Sequence, residues 1–368
     1  MKKSIGILTT YFATNFGAML QPFALKRTLE NMGFDAELIR YKQPKVWRVY
    51  SPWEPKKVFR KNIMAAIFHV VTLPWQILKR RRFFKYMHRH VQSNTGFVKE
   101  IDKKDFYIVG SDQIWNPAVT GGFDEVYWGN FKTGPESKKI SYAASAEDID
   151  YNEKNVEYIR EHLMNFSSIS VREESLAVKL REISRNDKIE SVVDPTVLAD
   201  KSIYDEIRSY NPLKNRRFVL LYKIRRSEEF LDKIYDYALS VDADLLILST
   251  WIEWPIIKFA RSRKRVHYKP AIGVEGFLGA VKHAECVFTP SFHGCVFPIL
   301  FHRPFFSLVL SDNWNTRTTD FLASVGLSDR QITIKDDIIN QDIDYQLVDN
   351  KIDMLRQKSM SFLSNALV

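Results

Sequence analysis

The turn PSFHG (290–294) lies between a strand-like apolar run, CVFT (286–289), and an apolar run of helical length, CVFPILFH (295–302). Imidazole moves a proton near neutral pH more readily than any other side chain. His293 is therefore either a proton carrier or a residue that caps and packs the turn. Ser291 can cap the helix or donate to a ligand, and Gly294 lets backbone approach an anion. A second polar concentration, SDQIWNP (111–117), follows FYIVG (106–110). Asp112, Gln113 and Asn116 are groups that hydrogen-bond sugar hydroxyls, and Trp115 offers a flat apolar face. The same residues also suit an Asp-based turn over a core tryptophan. Arg172 ends the run SSISVR (167–172), where a guanidinium either forks onto a carboxylate or phosphate or pairs with Glu173 or Glu174. Arg317, in NTRTTDFL (315–322), offers the same chemistry, and Asn15 and Gly17 precede the first helical run.

Other chemistries lack their residues. No GxGxxG or Walker loop is present, nor HExxH, nor GxSxG. The two cysteines, Cys286 and Cys295, have no zinc-ligand spacing and sit in apolar context, which reads as small buried hydrophobes in a reducing compartment. Nothing calls for a metal or a cofactor.

Each candidate loop follows an apolar strand, and that placement implies a scaffold. SIGILTT (4–10), the helical stripe in AMLQPFALKRTLENM (18–32) and AELIRY (36–41) make a βαβ unit. Proline is best tolerated in a first helical turn, so Pro22 predicts a helix beginning near itself. KISYAA (139–144) and SSISVR continue the strand series, and Asp194-Pro195 reads as a chain exit. RFVLLYKI (217–224), DLLILST (244–250), RVHYK (265–269), CVFT and FFSLVL (305–310) form a second series, alternating with helices. Such alternation predicts parallel sheets covered on both faces. The expected architecture is α/β: two Rossmann-like doubly wound domains facing a cleft. The first spans 1–198 and carries a basic helical insertion at about 44–104. The second spans 199–345, and 346–368 is a C-terminal helix packing back on the first. Ligands of such sheets bind beyond the carboxyl ends of the strands.

Charge is uneven. The 368-residue chain has a formal net charge of +10, yet residues 40–104 hold 17 Lys/Arg against three acids. Within that segment, KNIMAAIFHVVTLPWQIL (61–78) is too short and interrupted to span a bilayer comfortably. It reads as a helix packed on the body or as an interfacial helix touching anionic lipid through 56–90. No nucleic-acid-binding module accompanies the basic patch, so no nucleic-acid partner is expected. The opening MKKSIGILTTYFATNFG breaks into polar residues too soon for a secretory signal. The expected location is cytoplasmic, at the inner face of the membrane.

Taken in order, IGILTTYFATNFGAMLQPFALKRTLENMGFDAELIRY, VGSDQIWNP, KISYAAS, ISVREES, VVDPTVLA, GFLGAVKHAECVFTPSFHGCVFPILFHRPF and NTRTTDFLASVGL resemble the polysaccharide pyruvyl transferase family over nearly the whole chain. Departures are Ala146-Glu147, Pro22, and Ser291 where some members carry an arginine two places before the histidine. The resemblance implies a fold similar to GT-B glycosyltransferases. It also implies transfer of pyruvate from phosphoenolpyruvate to two hydroxyls of a hexose in a cell-envelope glycan, giving a ketal and phosphate. By the same resemblance His293 is the functional histidine, Asp112 the carboxylate that accepts a hydroxyl proton, and Arg172 the donor-binding arginine, with Ser291, Gly294 and Arg317 beside it. Asn15, Gly17, Gln113, Trp115 and Asn116 are left for the acceptor, which is a saccharide, lipid-linked where the membrane supplies it. Two other functions share this scaffold: a glycosyltransferase using a nucleotide sugar, and a non-catalytic protein that binds glycan or membrane.

Overall fold

A computed structural model describes residues 2–51, 63–92, 101–147, 149–214, 216–224, 227–310, 316–339 and 341–368. Two six-stranded, wholly parallel sheets form its frame. The first comprises β1 (Ser4–Leu8), β2 (Asp35–Leu38), β3 (Phe106–Val109), β4 (Lys138–Ala144), β5 (Ser168–Val171) and β6 (Glu190–Ser191), ordered β2-β1-β3-β4-β5-β6. The second comprises β7 (Phe218–Lys223), β8 (Asp244–Ser249), β9 (Val266–Tyr268), β10 (Val287–Thr289), β11 (Phe305–Leu308) and β12 (Gln331–Ile332), ordered β12-β11-β10-β7-β8-β9. Every residue of β7 and β8 is buried, as expected for strands with helices on both faces. Strand order reverses between β1 and β3 in one sheet and between β7 and β10 in the other. The crevice at such a switch point is where α/β sheets bind ligands. Loops 9–15, 110–116 and 290–291 all leave strands at these points.

The first helix, Phe16–Asn31, begins earlier than Pro22 predicts. Asn15 caps it, its side chain accepting from the Ala18 amide at 3.3 Å. Pro22 lies inside and has no N–H to give the Ala18 carbonyl, but every residue from Phe16 to Leu25 is buried. Packing outweighs one lost hydrogen bond. The helix after β10 also starts early, at Phe292 rather than near Cys295, and runs to Leu300.

Each sheet has a smaller core of its own, and the two sheets also share one larger apolar core. Phe16 lies in it, stacked on Phe277 (4.4 Å between centroids, 4° between planes) and in ring contact with Tyr222 and Phe83, each at 5.3 Å. Phe83 belongs to the helix Ile63–Tyr86, which runs on into a π-helical turn, Met87–Val91; with Pro44–Tyr50 these are the described helices of the insertion. Residues 52–62 and 93–100, and hence part of the basic 56–90 stretch, lie outside the described residues. Lys79 ties the long helix to the end of β8, its buried ammonium donating to the Ser249 and Thr250 carbonyls at 2.7 and 2.8 Å. The C-terminal helix, Tyr345–Ala366, packs against the first sheet's end of the chain. Ser359 Oγ accepts from the Val193 amide at 3.0 Å, and Arg356 Nε donates to the Val197 carbonyl at 2.7 Å.

Candidate active site

A cleft of about 250 Å³ opens at the two switch points. Asn15, Asp112 and Gln113 line it from the first sheet, and Ser291, His293 and Arg317 from the second half. Ser291 caps the helix Phe292–Leu300 by accepting from the Gly294 amide at 3.3 Å. That sets His293 in the helix's first turn. The imidazole is 7% exposed, and Gly17 lies flat against it: a Cβ at residue 17 would come 2.1 Å from Nδ1 and 2.3 Å from Cγ. Gly17 is thus a spacer that lets the first helix approach the ring.

Behind the imidazole stands Asp194, which the Asp-Pro dipeptide presents in sequence as a chain exit. Asp194 Oδ1 is 3.5 Å from His293 Nε2, while Oδ2 accepts from Arg172 Nη1 at 3.0 Å. Thr196 donates to Asp194 Oδ1 through its amide (2.9 Å) and its hydroxyl (2.7 Å). Burial alone would raise this carboxyl. The charges on His293 and Arg172 and the Thr196 hydroxyl outweigh burial and hold it well below the usual carboxylate range. A fixed carboxylate 3.5 Å from Nε2 holds a proton on that nitrogen, and the first helix packs against the Nδ1 edge of the ring at Gly17.

Arg172 does not line the 250 Å³ cleft. Its side chain is 3% exposed. Nε donates to Glu173 Oε1 (3.1 Å), Nη1 to Asp194, and Nη2 to Ser145 Oγ (2.8 Å). Its guanidinium carbon lies 4.9 Å from the centroid of the Phe292 ring, and it borders a smaller cavity on the far side of that ring. Desolvation opposes its charge, but Glu173, Asp194 and Asp112 prevail and raise its pKa further. Each of its three nitrogens makes one bond in this network, which braces Asp194. Burial pushes the Glu173 carboxyl up in spite of Arg172.

Arg317 does face the cleft. Its Nε donates to Glu147 Oε1 at 2.5 Å, and Gln113 Nε2 donates to Glu147 Oε2 at 2.7 Å. Asp112 has φ 70°, a left-handed conformation that aspartate tolerates better than most residues. Its carbonyl accepts from the Ser145 amide at 3.0 Å, which fixes the loop to the end of β4.

Three assigned residues lie elsewhere. Trp115 is fully buried, stacked on Trp128 (4.5 Å, 12°), and its indole N–H is spent on the Tyr127 carbonyl at 2.7 Å. It is a core residue with no face open to a sugar. Asn116 is buried as an N-cap, accepting from the Ala118 amide at 2.9 Å. Gly294 gives its amide to Ser291, and its lack of a side chain makes room for Thr289, whose Oγ1 a Cβ would meet at 2.2 Å. The cleft's aromatic surface comes instead from Tyr50 and Trp251, stacked at 5.2 Å and 13°. Among the described residues no group of three His, Cys, Asp or Glu side chains converges as a metal site.

Two parallel, doubly wound sheets meeting at a cleft define a GT-B-like α/β protein. The family model described as polysaccharide pyruvyl transferase matches residues 15–312, and the chain belongs to that family. Among solved structures the chain is similar to the UDP-GlcNAc 2-epimerase of Methanocaldococcus jannaschii (13% identity, 97% of this chain and 93% of that one, TM-score 0.48). It is also similar to a putative UDP-N-acetylglucosamine 2-epimerase of Listeria monocytogenes (12%, 99% and 89%, TM-score 0.49). A third is the E. coli heptosyltransferase WaaC (10%, 97% and 99%, TM-score 0.41). A comparison with curated proteins finds no match.

Proposed function

We propose that this protein transfers pyruvate from phosphoenolpyruvate to two hydroxyls of a hexose in a cell-envelope glycan, releasing phosphate. The observation that supports this most is the meeting of His293, Asp112 and Arg317 on one cleft, with Asp194 against the far nitrogen of the imidazole. Phosphoenolpyruvate is highly charged at neutral pH. Arg317 and the N-terminus of the helix Phe292–Leu300 supply positive potential to hold it. His293 gives a proton to the methylene carbon, which becomes methyl, and the neighbouring carbon becomes electrophilic. A sugar hydroxyl attacks that carbon as Asp112 takes its proton. The carbon–oxygen bond to phosphate breaks, a second hydroxyl of the same sugar closes the ketal, and its proton leaves with phosphate. Asn15 and Gln113 are the polar groups for the acceptor, and the Tyr50–Trp251 pair is its apolar platform. The acceptor is lipid-linked on this reading, and the protein works as a peripheral protein at an anionic membrane face.

Purified protein, phosphoenolpyruvate and a panel of lipid-linked or nitrophenyl hexosides, assayed for phosphate, test the proposal. The wild type should release phosphate only with an acceptor. His293→Ala should release none while its circular dichroism is unchanged. Full phosphate release by His293→Ala removes the histidine from the reaction. Release of nucleoside diphosphate from nucleotide sugars, with none of phosphate from phosphoenolpyruvate, replaces the reaction altogether.

A further inference from the structure

No described helix is long and apolar enough to cross a membrane, yet Ile63–Tyr86 presents a large apolar face to solvent. Ile63, Met64, Ile67, Val70 and Val71 are each more than half exposed. Their spacing of three and four residues puts them on one stripe, which Trp75 and Leu78 continue. The opposite face carries Thr72, Lys79, Phe83 and Tyr86, all buried. Exposed contiguous apolar patches of this kind mark interaction sites.

The same stripe changes character at its C-terminal end. Arg81, Lys85 and Arg89 follow at four-residue steps, are exposed, and make no ion pair among the described residues. No Asp or Glu occurs anywhere from 63 to 92. An apolar stripe that runs into uncompensated cations fits a surface offering hydrocarbon beneath fixed negative charge. A second copy of this chain offers the same cations, and packing two such faces together sets like charges near one another or leaves them over apolar side chains.

The helix that carries the stripe adjoins the cleft through its other side. Phe68 on this helix packs edge-on against Trp254 (6.2 Å), and Lys79 holds the Ser249 and Thr250 carbonyls. Thr250 and Trp251, next along the chain, line the cleft itself.

We propose that the outer face of Ile63–Tyr86, with Arg81, Lys85 and Arg89, docks on the surface of an anionic phospholipid bilayer and lies in its interface. Docking sets the Tyr50–Trp251 end of the cleft beside the headgroups, where a saccharide on a lipid carrier is presented. The inference rests on the pyruvyl transfer reading only for that last step.

Cosedimentation of the full chain with phosphatidylcholine vesicles, with and without phosphatidylglycerol, tests the docking. The wild type should pellet with the phosphatidylglycerol vesicles. Ile67→Glu/Val71→Glu and, separately, Arg81→Glu/Lys85→Glu/Arg89→Glu should each cut the bound fraction at least tenfold. Both variants should keep wild-type circular dichroism and wild-type phosphate release on a soluble nitrophenyl hexoside. Wild-type protein left in the supernatant overturns the proposal, as does equal binding to phosphatidylcholine alone. A lipid-independent dimer that Val71→Glu dissociates assigns the face to a second copy instead. Vesicle binding needs no turnover, and turnover on a soluble acceptor needs no vesicle, so failure of either claim is visible without the other.

Discussion

Asp194 serves two neighbours with its two oxygens, one towards the imidazole of His293 and one on the guanidinium of Arg172. It touches no substrate-facing surface of the cleft and acts by positioning. Asp194→Asn keeps the shape and removes the charge that fixes the proton on Nε2. The kcat for phosphate release should fall by about 10²-fold with little change in the KM for phosphoenolpyruvate. The variant also changes acid stability. Because the native carboxyl sits below its ordinary value, its stabilising contribution is complete above about pH 4 and is lost as pH falls towards the lower native value. Thermal melts across that window should show a shallower loss in Asp194→Asn than in the wild type. A purely structural role for Asp194 would lower stability and leave the pH profile of kcat unmoved.

These residues were unequally legible in the sequence. Ser291 and His293 follow an apolar strand, and strand ends are where α/β sheets place ligands, so chain order alone marks them. The Asp194-Pro195 dipeptide carries a turn signal that hides any other role. Its function depends on the loop after β6 meeting the turn after β10, a contact between distant parts of the chain. Trp115 shows the converse. An aromatic among amides suits a sugar site, but only the fold reveals Trp128 lying over its face. Tyr50 and Trp251 could not be paired from sequence because they come from opposite halves of the molecule.

At the scale of elements, the strands were readable because fully buried parallel strands are short apolar runs between turn residues. Helix starts were less so. Pro22 and the apolar run from Cys295 suggested beginnings that the caps Asn15 and Ser291 place earlier. β6 and β12 are two-residue strands with no pattern of their own. The insertion is read best as a tether. Lys79 is a cation taken into an apolar setting, and burial lowers its pKa to about 7. Between that value and about 10.4 the unfolded chain holds a proton that the native amine has released, so stability gains as pH rises through the window. Lys79→Met should lack this gain, measured as the change in Tm between pH 7 and pH 10 relative to the wild type.

At the scale of the molecule, each sheet keeps a smaller core of its own, while the largest apolar core crosses between the sheets. Phe16 is its clearest member, since its ring touches residues from the second half and from the insertion. Phe16→Ala should cost about 3–5 kcal/mol, measured by urea unfolding. It should do so in a single transition, because the core to which that ring belongs is shared by both sheets. Two separated transitions would show that the halves are independent after all.

That seam of aromatic rings bears on how reactants come and go. Many proteins that hold a ligand between two lobes swing the lobes about a hinge. Here a swing would tear Phe16 from Phe277 and Tyr222 and wet both rings. Such a swing carries the cost of exposing two aromatic rings, which favours an aperture whose outline is set by the fold before any reactant arrives.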